Sequence, residues 1–234
     1  MTSQPTLHIS RPDGDAVAAV LVLHGGREVS TAQVRAGNLA AARMLPFARS
    51  LRRHGSRHGL VVARLRYAVR GWNGDDRSPV ADARWALAQL ADEFGAVPVA
   101  LVGHSMGGRT ALHIAGNPNV RSLVGLAPWI EKDDPVGTVT DRRVLLVHGD
   151  QDRVTNPTAT ARYAAAAAGR AQSVGSVTVH GDKHAMLSHP HDWHALTTGF
   201  VLSTVCGVPP EGTGSAALTN VLLKVLAGDV AVVM

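Results

Sequence analysis

The sequence predicts an α/β fold, with a mostly parallel central sheet and helices on both faces. Three observations carry this. Short apolar runs of strand length alternate with longer helical patterns. Runs such as Val17 to Leu23 read as buried strands, in keeping with a sheet covered on both faces. The chain has 234 residues, 45 % of them apolar, enough for one domain with a full core.

The elements follow in order. Val17 to Leu23 reads as a buried strand and Leu39 to Arg53 as a helix. Leu60 to Leu65 is a second strand. Val80 to Phe94 is a helix with Ser78 as N-cap and Pro79 at its first position, where a missing N–H costs nothing. Val97 to Val102 is a third strand, followed by a helix over Met106 to Ala115. Ser122 to Ala127 and Val144 to His148 are the fourth and fifth strands. Thr158 to Ala168 is an Ala-rich helix, Ser176 to His180 a sixth strand and His191 to Val205 a core helix.

This main domain is expected to span residues 1–206. Residues 207–234 are expected to add a linker, GVPPEGTG, and a C-terminal amphipathic helix. Leu218, Val221, Leu222, Val225 and Leu226 fall on one face of that helix. It is expected to dock on the domain or on a second subunit, which would make a homodimer. Membrane-surface binding suits it poorly, because Lys224 is the one cation available to its polar face.

The net charge of +5 is carried almost wholly by arginine, since lysine occurs only at positions 132, 183 and 224. The densest basic run is Arg49, Arg52, Arg53 and Arg57, near the end of a predicted helix, where cations complement the dipole. No nucleic-acid motif accompanies the charge, so no nucleic-acid partner is expected. Cys206 is the single cysteine, which excludes an internal disulfide and fits a reducing compartment. Residues 1–20 include Pro5, Arg11, Asp13 and Asp15 and lack an apolar signal core. No apolar run reaches membrane-spanning length. A cytoplasmic protein is expected.

The chemistry begins at Gly103-His104-Ser105-Met106-Gly107, a G-x-S-x-G pattern. Chance alone gives on the order of 0.1 matches in a chain this long. Here a strand runs straight into it and a helix leaves it, the arrangement that exposes a serine on a sharp turn above a sheet. A serine hydroxyl is a weak nucleophile and needs a base, itself oriented by an acid. After the fifth strand, His148-Gly149-Asp150-Gln151-Asp152 offers two carboxylates. Asp152 is preferred because it lies further into the loop; Asp150 is expected to hold the turn. After the sixth strand, Gly181-Asp182-Lys183-His184 places His184 where the active sites of parallel sheets gather. An oxyanion needs two N–H donors. Met106 is expected to give one, and Gly26 of His24-Gly25-Gly26-Arg27 the other, with Arg27 as the alternative donor.

LVLHGG, LVGHSMGG, LLVHGDQD and GDKHAML, in this order, resemble the α/β-hydrolase superfamily over roughly residues 17–205. The chain looks most like its small, lidless bacterial esterases and dienelactone-hydrolase-like members. The resemblance implies an α/β-hydrolase fold and a triad of Ser105, His184 and Asp152. It implies Met106 and Gly26 as oxyanion donors. True dienelactone hydrolases carry a cysteine where this chain has Ser105, so their substrates are not implied. Only residues 129–143 separate the fourth and fifth strands, too short for a cap domain. The cleft is therefore expected to be open, with Arg27, Trp72, Trp129 and Met186 shaping a pocket.

The reading is a serine hydrolase that cleaves a carboxylic ester or thioester of a small-molecule acyl substrate. Two alternatives stay open: acyl transfer or amide and peptide cleavage by the same triad, and a non-catalytic binding protein of this fold. Metal is not expected, because His180, Asp182, His184, His189, His191 and His194 match no helical zinc pattern. No P-loop or G-x-G-x-x-G is present, and no cofactor is expected.

Overall fold

The computed structural model describes residues 3–35, 37–210 and 215–233. Among these residues one sheet of eight strands runs in the order β1-β3-β2-β4-β5-β6-β7-β8. Its strands are β1 (Thr6–Ser10), β2 (Ala18–Leu23), β3 (Leu60–Arg66), β4 (Val99–His104), β5 (Val120–Leu126), β6 (Arg143–Gly149), β7 (Ser173–Val179) and β8 (Ala231–Val233). β1 pairs antiparallel with β3, and every other pairing is parallel.

The apolar strand runs have a direct cause. In β2, Ala19, Leu21 and Leu23 join a core on one face, and Ala18, Val20 and Val22 join a second core on the other. A strand buried on both sides needs apolar residues at every position. The first core is closed by α3 (Ser78–Phe94), α4 (Met106–Ile114) and α5 (Pro157–Ala167). The second is closed by α2 (Leu45–Gly55), α6 (Pro190–Val205) and α7 (Ala216–Ala227). Trp193, Leu196 and Phe200 are fully buried in α6, which explains its nearly continuous apolar pattern.

Four details depart from the sequence reading. The helix expected over residues 39–53 is broken into α1 (Leu39–Arg43) and α2, with Pro46 in the first turn of α2. Proline has no N–H for the preceding turn and its ring crowds that turn, so one continuous helix is excluded. Ser78 is not the N-cap of α3; Arg77 holds that position at φ 44°, and the Ser78 hydroxyl instead accepts from Asn73 Nδ2 at 3.1 Å. Two strands were missed, both at sheet edges. β1 pairs half-buried Leu7 and Ile9 with the first core, and β8 lies beside β7.

α7 packs on β7 and α6. Leu218, Val221, Leu222 and Val225 are buried there, so the apolar face of the helix is used within the chain. Gly175 makes this possible, because a Cβ on it would meet Val225 Cγ2 at 2.5 Å. Residues 211–214 of the expected linker lie outside the described residues. Between β5 and β6 only the short 3-10 turn Gly137–Val139 intervenes, in keeping with the absence of a cap there. Among the described residues no helix is long and apolar enough to cross a membrane.

Candidate active site

β4 ends at His104, and the chain turns into α4 through Ser105, whose φ and ψ are 54° and −119°. This backbone is costly for any residue with a Cβ. Hydrogen bonds hold it in place: Ser105 N–H donates to Leu126 O at 3.0 Å, and Ser105 O accepts from Gly108 N–H at 3.0 Å and Trp129 N–H at 3.1 Å. The turn closes because a Cβ on Gly103 would stand 2.2 Å from Gly107 O. A Cβ on Gly107 would stand 2.4 Å from Leu23 O, so α4 starts hard against the end of β2.

The loop after β6 carries Asp152. Its carboxylate accepts from Val154 N–H at 2.7 Å and Thr155 N–H at 3.0 Å through one oxygen. The other oxygen, Oδ2, meets His184 Nδ1 at 2.8 Å, the Thr155 hydroxyl at 2.8 Å and His148 Nε2 at 3.1 Å. Burial opposes the charge of Asp152, but hydrogen bonds from His148, His184 and the loop backbone outweigh it. The carboxyl is held well below the usual range. An ionised carboxylate favours the tautomer of a neutral His184 ring that carries its proton on Nδ1, with Nε2 as the acceptor. Asp150 plays a different part. It accepts from Gly181 N–H and from His180 Nδ1, both at 2.8 Å, and ties the acid loop to the loop after β7.

The loop bearing His184 is shaped by Asp182, which is 1 % exposed. Asp182 accepts from the backbone of Lys183, Ser188 and His189 and from Trp193 Nε1 at 2.8 Å. His104, next to Ser105, reaches the same loop. Its ring centroid is 4.7 Å from that of His184, and its Nε2 lies 3.0 Å from His184 O. Burial, then the nearby His184, push the His104 ring down to about 3. It is therefore neutral near pH 7, and Nε2 donates to the carbonyl. This bond links the serine turn to the histidine loop.

The glycine loop after β2 lies beside the serine turn. A Cβ on Gly25 would approach Ser105 Cβ at 3.3 Å. A Cβ on Gly26 would meet Met106 Cε at 2.3 Å and Arg70 O at 2.4 Å, so only glycine fits. Gly26 and Met106, the two expected oxyanion donors, are thus neighbours. Arg27 N–H, the alternative donor, is taken by Arg70 O at 2.8 Å. His24 supports the loop: its Nδ1 stands 2.6 Å from Gly25 O, and its Nε2 accepts from Tyr67 N–H at 3.3 Å.

The residues expected to shape a pocket fall in three places. Arg27 lines a hollow of about 350 Å³ with Gly25, Gly26, Asn38 and Arg70. The Arg109 guanidinium stands over both Trp72 and Trp129, its carbon 4.3 and 4.5 Å from their rings, which meet edge to face at 70°. Both indoles line a separate hollow of about 340 Å³. Arg109 Nε also donates to buried Asp134 at 2.8 Å, and His113 Nε2 stands 2.9 Å from the same oxygen. Met186 lines none of the hollows named here; it is 3 % exposed and belongs to the second core beneath the His184 loop. His184 itself borders a hollow of about 630 Å³ with Asp152, Val154 and Lys183.

Sequence reasoning missed His104, His148, Thr155 and Arg109 as parts of this site. His104 and His148 both stand inside the quoted motifs, in strands where a polar residue needs a buried partner. That was the available signal. Arg109 carried none, because its partners are distant in sequence; Thr155 stands three residues after Asp152, the spacing at which an aspartate caps a turn.

Fold and site together define an α/β hydrolase. The chain belongs to the family described as serine aminopeptidase, S33, whose profile matches residues 14–143. The match takes in the glycine loop and Ser105 and ends before Asp152 and His184. Solved structures show the same fold at low identity. An α/β serine hydrolase homologue from Coxiella burnetii has 18 % identity and a TM-score of 0.64, over 83 % of this chain and 90 % of its own. Est1E from Butyrivibrio proteoclasticus, with ferulic acid bound, has 15 % identity and a TM-score of 0.64, over 86 % and 95 %. A serine hydrolase without lid from Xanthomonas campestris has 17 % identity and a TM-score of 0.60, over 82 % and 86 %. No curated protein matches the chain significantly.

Proposed function

We propose that this hydrolase cleaves a carboxylic ester or thioester of a small molecule through an acyl-enzyme on Ser105. The observation that carries the reading is the 2.8 Å contact of His184 Nδ1 with an ionised, buried Asp152, in a loop tied to the serine turn. His184 Nε2 takes the proton as Ser105 Oγ attacks the carbonyl carbon. The N–H groups of Gly26 and Met106 hold the oxyanion. The intermediate collapses, and His184 protonates the departing alcohol or thiol. Water then attacks the acyl-serine with His184 as base, releasing the acid and restoring the serine.

Amide cleavage is the second reading, favoured by the description of the family. Parallel assays on matched ester and amide substrates of one acyl group separate the two. The mechanism itself is tested by intact-mass analysis after a fluorophosphonate, with Ser105→Ala alongside. One adduct on the wild type and none on the variant is expected. An adduct on both, or on neither, overturns the assignment of Ser105.

A further inference from the structure

The basic run noted in the sequence is not absorbed by the reaction. Three of its four members, Arg49, Arg53 and Arg57, line a groove of about 380 Å³ between α2 and α6, and this groove shares no residue with the hollows beside Gly26 and His184. Seven of its twelve lining residues are Arg or His, and none is acidic. Arg49 and Arg53 stand one turn apart on α2, and Arg57 follows in the next turn. Among the described residues no carboxylate pairs with any of the three. The helix dipole accounts for cations in the last turn of α2 but not for Arg49, and like charges four residues apart oppose helix formation. An anion in the groove removes that repulsion.

The floor is built as well as charged. Ser50 Oγ and Thr198 Oγ1 lie 2.9 Å apart at the junction of the two helices. Ala195 and Leu202 are buried beside them, which suits a non-ionic portion of a ligand. The volume is that of a small-molecule site. Guanidinium forks match phosphate oxygens in pairs. A membrane surface fits poorly, because none of the large exposed apolar side chains borders the groove.

We propose that this groove binds a small phosphorylated molecule, with Arg49, Arg53 and Arg57 on the phosphate oxygens and the remaining hydroxyl proton of the Ser50–Thr198 pair donating from the floor. The proposal is independent of the reaction at Ser105. It is tested by calorimetric titration of the full chain with inorganic pyrophosphate, against sodium chloride of equal ionic strength. Saturable binding is expected, about tenfold weaker in Arg49→Ala or Arg53→Ala, from the loss of one charge-assisted pair. Both side chains are exposed, so the unliganded melting temperature should be unchanged. Should either variant fail to fold, Arg49→Lys and Arg53→Lys keep the charge but not the fork, and must still weaken binding. Heat that never saturates, or binding unchanged in the double alanine variant, overturns the proposal. So does retention on phosphatidylcholine–phosphatidylglycerol vesicles that pyrophosphate cannot displace.

Discussion

His184 Nδ1 lies 2.8 Å from Asp152 Oδ2, an oxygen that also takes hydrogen bonds from Thr155 and His148. The acid therefore orients one histidine and anchors a second, buried one. Replacing the carboxylate with an amide keeps the shape and removes the reason for the Nδ1 proton. Asp152→Asn is expected to lower kcat by roughly 10⁴-fold with the fluorophosphonate site still present. Steady-state kinetics on any cleaved ester checks this, and a loss below tenfold would remove Asp152 from the mechanism.

Gly26→Ala tests the oxyanion loop. The new Cβ collides with Met106 Cε and with Arg70 O, and only the methionine end can swing away. The loop must move and carry its N–H with it. A fall in kcat of about 10²- to 10³-fold is expected, with KM little changed. Equal loss in KM alone would mean that the loop merely shapes the pocket.

Two buried histidines set an acid limit on stability. Burial pushes His24 down to about 4 and His104 down to about 3, against 6.5 for an ordinary ring. The unfolded chain thus takes up protons near pH 6.5 that the folded chain refuses. Stability is full above that pH and falls as pH drops towards 4, by up to ~1.4 kcal/mol per pH unit for each ring. Melting temperatures from pH 8 to pH 4 should decline already between pH 6.5 and 5, before the carboxylates titrate. A flat profile over that interval would contradict buried neutral rings at both positions.

Arg109 is held by two indoles and by Asp134, whose side chain is 1 % exposed. Arg109→Ala leaves that carboxylate with His113 and the Glu131 backbone N–H as remaining partners. A loss of about 2–4 kcal/mol is expected, read by urea unfolding, with a change in indole fluorescence from Trp72 and Trp129. Arg109→Lys should recover only part of it, since an ammonium lacks the planar fork that meets both rings and Asp134 together.

The parallel core was legible because its strands are largely apolar, a pattern that β2 shows most clearly. The edge strands were not. β1 is half-buried and signals itself only through Leu7 and Ile9, and β8 is three residues long. Ser105, Asp152 and His184 could be chosen because each follows a strand in the order an elbow requires. The Arg109 cluster could not, since it joins residues from three segments of the chain. The hydrogen bond between His104 and His184 spans 80 residues, and no local pattern announces it.

The backbone of Ser105 has a consequence for engineering. A φ of 54° with ψ of −119° is open to glycine at little cost and burdens an L-residue by about 1–3 kcal/mol. Ser105→Gly should therefore melt higher than the natural chain while lacking the hydroxyl that the proposed reaction needs. A laboratory selection on heat tolerance alone would drift towards an inert scaffold. Any such campaign must be coupled to turnover from its first round.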